Sequence, residues 1–216
     1  MISWNRLSRS LLLAVSMLPL ACGAQPLSFQ QGKHYEQVKQ AIPPADAKRV
    51  TVEEFFWYGC SHCFAADPSV DAWKAKKPDY VDFQRVPNTL GRAEGEVHAR
   101  AFYIAEILGV LDKTHPALFS AIHVQRLPMR DLASVRKLYG DVAGVKPEAF
   151  DQASSSFMVD SRLRRAETLA KTYQLTSVPT LVVGGKYVTN ATMAGGMDKM
   201  MAVVNFLSEK VRQERK

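Results

Sequence analysis

The sequence predicts an α/β protein in which a strand-and-helix domain is interrupted by a helical insertion. Three stretches of the 216 residues carry this reading. Val50–Tyr58 is rich in β-branched and aromatic residues and runs, through Gly59, into Cys60-Ser61-His62-Cys63. Residues 90–174 carry helical periodicity almost throughout. Strand chemistry returns at Thr180-Leu181-Val182-Val183, followed by Gly184-Gly185 and Lys186-Tyr187-Val188. The expected organisation is an export signal over 1–24, a strand-and-helix domain made of 25–89 and 175–216, and an inserted helical domain over 90–174.

In order along the chain, Gln25–Pro44 reads as an extended lead-in ending in the loop residues Pro43-Pro44. Val50–Tyr58 is the central strand. A helix should start near Cys60 and stop before Lys77-Pro78, because a residue preceding proline is driven out of helical geometry. Tyr80–Val86 is the second strand, closed by Pro87. Val97, Ala101, Ile104, Ala105 and Leu108 fall on one helical face that ends near Gly109. A short piece around Leu118, Phe119 and Ile122 follows. Asp131 is placed to cap a helix through Leu132, Val135 and Leu138 that stops at Gly140. Lys146-Pro147-Glu148 opens another helix, with proline in its first turn. Leu163, Ala166, Ala170 and Tyr173 mark a longer one. Gly184-Gly185 reads as a two-residue hairpin turn. Met200, Val203, Val204, Leu207 and Val211 line a C-terminal helix.

The first residues speak to compartment. Arg6 and Arg9 precede the apolar run Leu11–Leu20, which is followed by small residues. That is an export signal, too short to span a membrane. Cleavage after Ala24 takes Lys+Arg from 28 to 26 against 21 acids, leaving +5 from the full chain's +7. The alternative is a lipoprotein anchored at Cys22, within Ala21-Cys22-Gly23. Either route delivers the chain to an oxidising compartment, where disulfides persist. The basic residues are scattered and no nucleic-acid motif accompanies them, so nucleic acid is not an expected partner.

Of three cysteines, Cys22 is spent on export or anchoring, leaving Cys60 and Cys63. A bridge closing so short a loop adds little stability through chain entropy, so a structural staple is a poor explanation for the pair. A Cys-x-x-Cys just past a strand, where a helix can begin, reads as a redox dithiol. The thiolate is the nucleophile, and a free cysteine near pKa 8.5 is only about 3% ionised at pH 7. A helix N-terminus contributes about 0.3–1 kcal/mol at exposed sites. Each pKa unit needs about 1.4 kcal/mol. Backbone N–H groups and the imidazole of His62 are therefore expected to add to the dipole. Stabilising the thiolate stabilises the reduced form and makes the disulfide a stronger oxidant.

Phe55-Phe56-Trp57-Tyr58-Gly59-Cys60-Ser61-His62-Cys63, with Val178-Pro179-Thr180 far downstream, resembles the DsbA family of thiol oxidases in the thioredoxin superfamily. The resemblance covers nearly the whole mature chain. The separation of Cys60 from Pro179 has room for the helical insertion that this family carries and a plain thioredoxin lacks. It implies a thioredoxin-like fold with an inserted helical domain, and periplasmic oxidation of exported polypeptides. It also implies a redox-active Cys60–Cys63 disulfide in place of any cofactor, and re-oxidation by a DsbB-like membrane partner; a monomer is expected. By the same resemblance Cys60 is the exposed attacking sulfur and Cys63 the resolving thiol, with His62 beside them. Val178-Pro179 is a cis peptide facing the dithiol and binding substrate. Glu54 is the buried acid that relays protons to Cys63; the alternative, read from the residues alone, is a solvated carboxylate at a strand end.

Two positions depart from the family pattern. The acid is often paired with a lysine on the next strand, and the facing segment here, Asp82-Phe83-Gln84-Arg85, has none. Proline usually stands between cysteine and histidine, whereas this chain has Ser61; oxidising character is expected to survive because His62 is kept. The rival activities are a disulfide isomerase or reductase, or, in a different class, a non-catalytic peptide-binding or metal-binding module. Zinc needs about four ligands. His34, His98, His115 and His123 share no spacing and read as solvated surface residues.

Overall fold

Among the described residues four strands assemble around a fifth, whose neighbours on both sides are separated from it by helices. The computed structural model describes Met1 and residues 28–215, so the rest of the expected export signal and the alternative anchor at Cys22 lie outside the described residues. The strands are β1 (Glu36–Gln37), β2 (Val50–Phe56), β3 (Val81–Pro87), β4 (Thr180–Val183) and β5 (Tyr187–Asn190), in the sheet order β1-β5-β4-β2-β3. β2 pairs parallel to β3, with Glu54 opposite Arg85, and antiparallel to β4, with Glu54 opposite Leu181. Successive side chains of β2 point to opposite faces, and six of its seven residues are buried, so both faces are covered. That is why the run reads as continuously apolar and why its two acids stand out.

The helices are α1 (Ser61–Lys74), α2 (Ala93–Ile107), α3 (Leu111–His123), α4 (Leu132–Ala143), α5 (Pro147–Ser154), α6 (Phe157–Thr172), α7 (Ala191–Ala194) and α8 (Met197–Glu214). Helices α2 to α6 lie in the chain between β3 and β4, two strands that both pair with β2. One apolar cluster joins Val50, Val52, Leu181 and Val183 of the sheet to Ala66 and Val70 of α1 and to Val203, Val204 and Leu207 of α8. A second joins Phe55, Phe56 and Tyr58 to Phe102, Leu118, Phe119, Tyr139 and Phe150 from α2 to α5. Each fully buried Phe or Leu of this kind contributes about 1.5–3 kcal/mol. Among the described residues no helix is long and apolar enough to cross a membrane.

Four expectations need correction. The central strand ends at Phe56, not Tyr58, because the Cys60 N–H turns back to the Trp57 carbonyl at 3.0 Å. The short piece around Leu118 is a 13-residue helix that runs through Pro116; burial of Thr114, His115, Leu118, Phe119 and Ala121 on its inner side outweighs the proline's missing N–H. The Asp131-capped helix passes Gly140 and ends at Gly144, whose φ of 68° supplies the left-handed cap. The hairpin loop has three residues rather than two: Val183 pairs with Tyr187, and the Lys186 N–H donates to the Val183 carbonyl at 3.1 Å.

Candidate active site

The turn Trp57–Gly59 carries the chain from the end of β2 to the start of α1. A Cβ at Gly59 would run into the Trp57 ring, so glycine lets the turn close beneath it. Cys60 is the N-cap of α1, with extended backbone, and its sulfur takes the place of the usual capping oxygen: the Cys63 N–H donates to Cys60 Sγ at 3.4 Å. No acid sits in the first turn to oppose the helix dipole. Cys60 is part-exposed and Cys63 is buried.

These surroundings separate the two thiols. The Cys63 side chain, hydrogen-bonded to Cys60, is the largest influence drawing the Cys60 pKa down to about 6; burial opposes it, and the backbone N–H groups of Cys63 and His62 and the charge of His62 add to it. At pH 7 a group of that pKa is about nine-tenths ionised. The same bond, reinforced by burial, pushes Cys63 far upward, and the charges of Cys60 and Glu54 add to the push. The exposed sulfur is thus the anion and the buried one holds its proton. Cys60 Sγ also lies 3.5 Å from the Val178 carbonyl oxygen, and the Val178–Pro179 peptide bond is cis. His62 is exposed on the first turn.

Glu54 is 2% exposed. Its partner is Arg85, directly opposite on β3, whose Nε donates to Glu54 Oε2 at 3.0 Å. Burial pushes the Glu54 carboxyl up to about 7 against the pull of Arg85, with the charges of Asp67 and Asp71 adding to the rise. Arg85 Nη2 also donates to Asp67 Oδ1 at 2.7 Å and to Asp71 Oδ1 at 3.0 Å. On the opposite face of β2, Glu53 accepts a hydrogen bond from the Tyr173 hydroxyl at 2.8 Å, just beyond the C-terminus of α6.

Two of the histidines expected on the surface are buried: His98 and His115 are each 3% exposed. His98 Nε2 meets the Met129 carbonyl at 2.9 Å. His115 lies between Asp67 and the Tyr58 hydroxyl, at 3.0 and 2.7 Å. His123, half-buried, meets the Tyr58 carbonyl through Nε2 at 2.7 Å, and its ring stacks on Phe64 at 4.9 Å. His34 is half-buried too, its Nδ1 accepting from the Gln30 N–H at 3.0 Å. The missed signal is periodicity. His98-Ala101-Phe102-Ala105 and His115-Leu118-Phe119-Ile122 both follow i, i+3, i+4, i+7, so each histidine begins an inward stripe.

Residues 51–208 match the family model described as a DSBA-like thioredoxin domain. The thiol:disulfide interchange protein DsbA of Azotobacter vinelandii is 35% identical over 208 residues, 94% of this chain and 95% of that protein. The protein of the same name from Pseudomonas aeruginosa is 34% identical over 214 residues, 98% of this chain and 99% of that one. The crystal structure of Pseudomonas aeruginosa DsbA superposes with a TM-score of 0.81 at 33% identity, covering 86% of this chain and 96% of that one. The oxidoreductase DsbA from Xylella fastidiosa gives 0.77 at 27% identity, with 84% and 97% covered.

Proposed function

The chain belongs to the DSBA-like thioredoxin family, and from that membership we propose that it is a thiol:disulfide oxidoreductase that introduces disulfide bonds into exported proteins through Cys60 and Cys63. The observation that carries the reading is the asymmetry of the two sulfurs, with Cys60 part-exposed and drawn down to about pKa 6 while Cys63 is buried and held protonated. A substrate thiolate attacks Cys60 Sγ of the enzyme disulfide. The Cys60–Cys63 bond breaks, its electron pair goes to Cys63, and Cys63 takes a proton for which Glu54 is the nearby acid. The substrate's second thiolate then attacks its own sulfur in the mixed disulfide. Cys60 departs as a thiolate, a good leaving group because its pKa is low. The substrate has lost two electrons and the enzyme holds them as a dithiol.

Around this step Val178 and Pro179 flank the dithiol and hold an extended substrate segment by strand addition, a role supported by the Val178 carbonyl 3.5 Å from Cys60. His62 supplies charge beside Cys60. Residues 25–89 and 175–216 make up the thioredoxin-like domain and 90–174 the inserted helical domain, consistent with the position of α2 to α6 between β3 and β4. The compartment is the periplasm, reached by a signal over residues 1–24, with lipidation at Cys22 as the alternative. A DsbB-like membrane partner returns the dithiol to the disulfide, and the enzyme works as a monomer.

The test is oxidation of a reduced two-cysteine peptide by the oxidised protein, with the reduction potential measured alongside. Cys60→Ser and Cys63→Ser, neither of which can form the enzyme disulfide, each abolish peptide oxidation. A potential near the roughly −270 mV of a thioredoxin-type reductant would instead assign the chain to reduction.

A further inference from the structure

A hydrogen-bonded chain of fixed direction runs from the turn before Cys60 through the helical insertion and back beneath the dithiol. Burial keeps the Tyr58 phenol protonated and draws the His115 imidazole towards its neutral form. The Tyr58 hydroxyl therefore donates to His115 Nδ1 at 2.7 Å, and the remaining ring proton, on Nε2, donates to Asp67 Oδ1 at 3.0 Å. The other tautomer would set the Nε2 lone pair against a carboxylate. Arg85 Nη2 donates to the same Asp67 oxygen at 2.7 Å, and Arg85 Nε donates to Glu54 at 3.0 Å. Asp67 stands four residues after Cys63, one turn further along the same face of α1.

Packing alone does not ask for a histidine at position 115. The ring sits edge-on among Phe56, Tyr58 and Phe119, with centroids 5.1 to 5.3 Å away, an environment that would hold a phenylalanine. A buried imidazole is tolerated because both nitrogens are satisfied, and both partners lead to the dithiol. We propose that His115 is a positioning residue for the redox site: by donating to Asp67 it shares that carboxylate with Arg85, and so leaves Arg85 Nε directed at Glu54. The proposal rests on the reading of Glu54 as the group that exchanges a proton with Cys63.

Glu54 is faced by Arg85 from β3, by Asp67, Asp71 and Cys63 from α1, by apolar Leu181 from β4 and, through Asp67, by His115 from α3; Lys74 at the end of α1 adds its charge to Asp67. Without the His115 donor, the full charge of Asp67 turns on Arg85 and draws it from Glu54. Glu54 then keeps its proton to higher pH.

The experiment follows the intramolecular attack of Cys63 on a glutathione mixed disulfide at Cys60, from pH 5 to 9. Cys63 gives up its proton, its sulfur bonds to Cys60 Sγ, and glutathione leaves as a thiolate. Because ionised Glu54 takes the proton, the rate rises through the Glu54 midpoint and then levels. Glu54→Gln removes that midpoint. His115→Phe moves it up by about 0.5–1 pH unit, slowing the step about 3–10-fold at pH 6 while the plateau stays within about twofold. His115→Gln, whose amide donates to Asp67, restores the midpoint. A midpoint unchanged in His115→Phe, or shifted equally in His115→Gln, overturns the proposal and leaves the Glu54 reading standing. A midpoint that persists in Glu54→Gln overturns the Glu54 reading instead, and the proposal with it. If His115→Phe does not fold, His115→Met, which likewise has no donor for Asp67, decides: an upward shift supports the proposal and an unchanged midpoint overturns it.

Discussion

Arg85→Met keeps most of the side chain's volume and removes the charge that three carboxylates share. The Arg85 side chain is 7% exposed, against 3% for Glu54, 13% for Asp67 and 52% for Asp71. Asp71 stands half in solvent, and its pair contributes little. The other two are buried, and stranding a buried charge costs about 3–5 kcal/mol. The cost depends on pH through Glu54. Its carboxyl is raised from an ordinary 4.5 to about 7, so the folded protein holds this proton more tightly than the unfolded chain does. Stability from that source is complete below about pH 4.5 and is lost as pH rises through 7, by about 3.5 kcal/mol for 2.5 units at ~1.4 kcal/mol each. Without Arg85 the carboxyl rises further and the decline continues above pH 7. Urea unfolding of the reduced protein should therefore show Arg85→Met costing about 4 kcal/mol at pH 8 and about 1.4 kcal/mol less at pH 5, where Glu54 is protonated in both proteins. Equal losses at the two pH values, or a loss below about 1 kcal/mol at pH 8, would refute the network as described.

Ser61→Pro restores the residue usual in this family at the first position of α1. The N–H groups that stabilise the Cys60 thiolate belong to His62 and Cys63, so the Cys60 pKa should move by less than about 0.5 unit in an alkylation profile, while the helix gains about 0.4–1 kcal/mol. A larger pKa shift would mean that the Ser61 hydroxyl or N–H contacts the sulfur. Tyr173→Phe removes the donor to buried Glu53, whose pKa burial raises and the Tyr173 bond lowers. The loss should be about 1–3 kcal/mol, larger at pH 8 than at pH 5 because the bond favours the ionised carboxylate; urea titrations at both pH values check it. Glu54→Gln should slow the release of Cys63 from the enzyme disulfide most below pH 7, where the native acid is protonated, as read by stopped-flow reduction with a dithiol.

What was legible in the sequence was what is local. The β4 strand was read at its observed bounds because Thr180 and three apolar residues run straight into two glycines. The dithiol was found because its spacing follows a strand; Glu54 was singled out by the family resemblance, since the residues alone also allow a solvated carboxylate at a strand end. The partner of Glu54 was hidden, since the β2–β3 register that sets Arg85 opposite it depends on the crossover through residues 57–80. Pro116 concealed α3, because a proline reads as a break unless the packing that overrides it is known. Gly140 and Gly144 are equally good stops, and only the backbone conformation selects the second. His98 and His115 were read as surface because periodicity was traced through apolar residues alone, while each histidine holds the polar end of an inward stripe.

Iodoacetamide alkylation of the reduced protein against pH tests the central claim most directly, because the mechanism depends on Cys60 being an anion at neutral pH beside a protonated Cys63. Reactivity at Cys60 should rise with a midpoint near pH 6, with Cys63 unlabelled throughout. A midpoint of about 8.5, that of an ordinary thiol, or equal labelling of both cysteines, would contradict it.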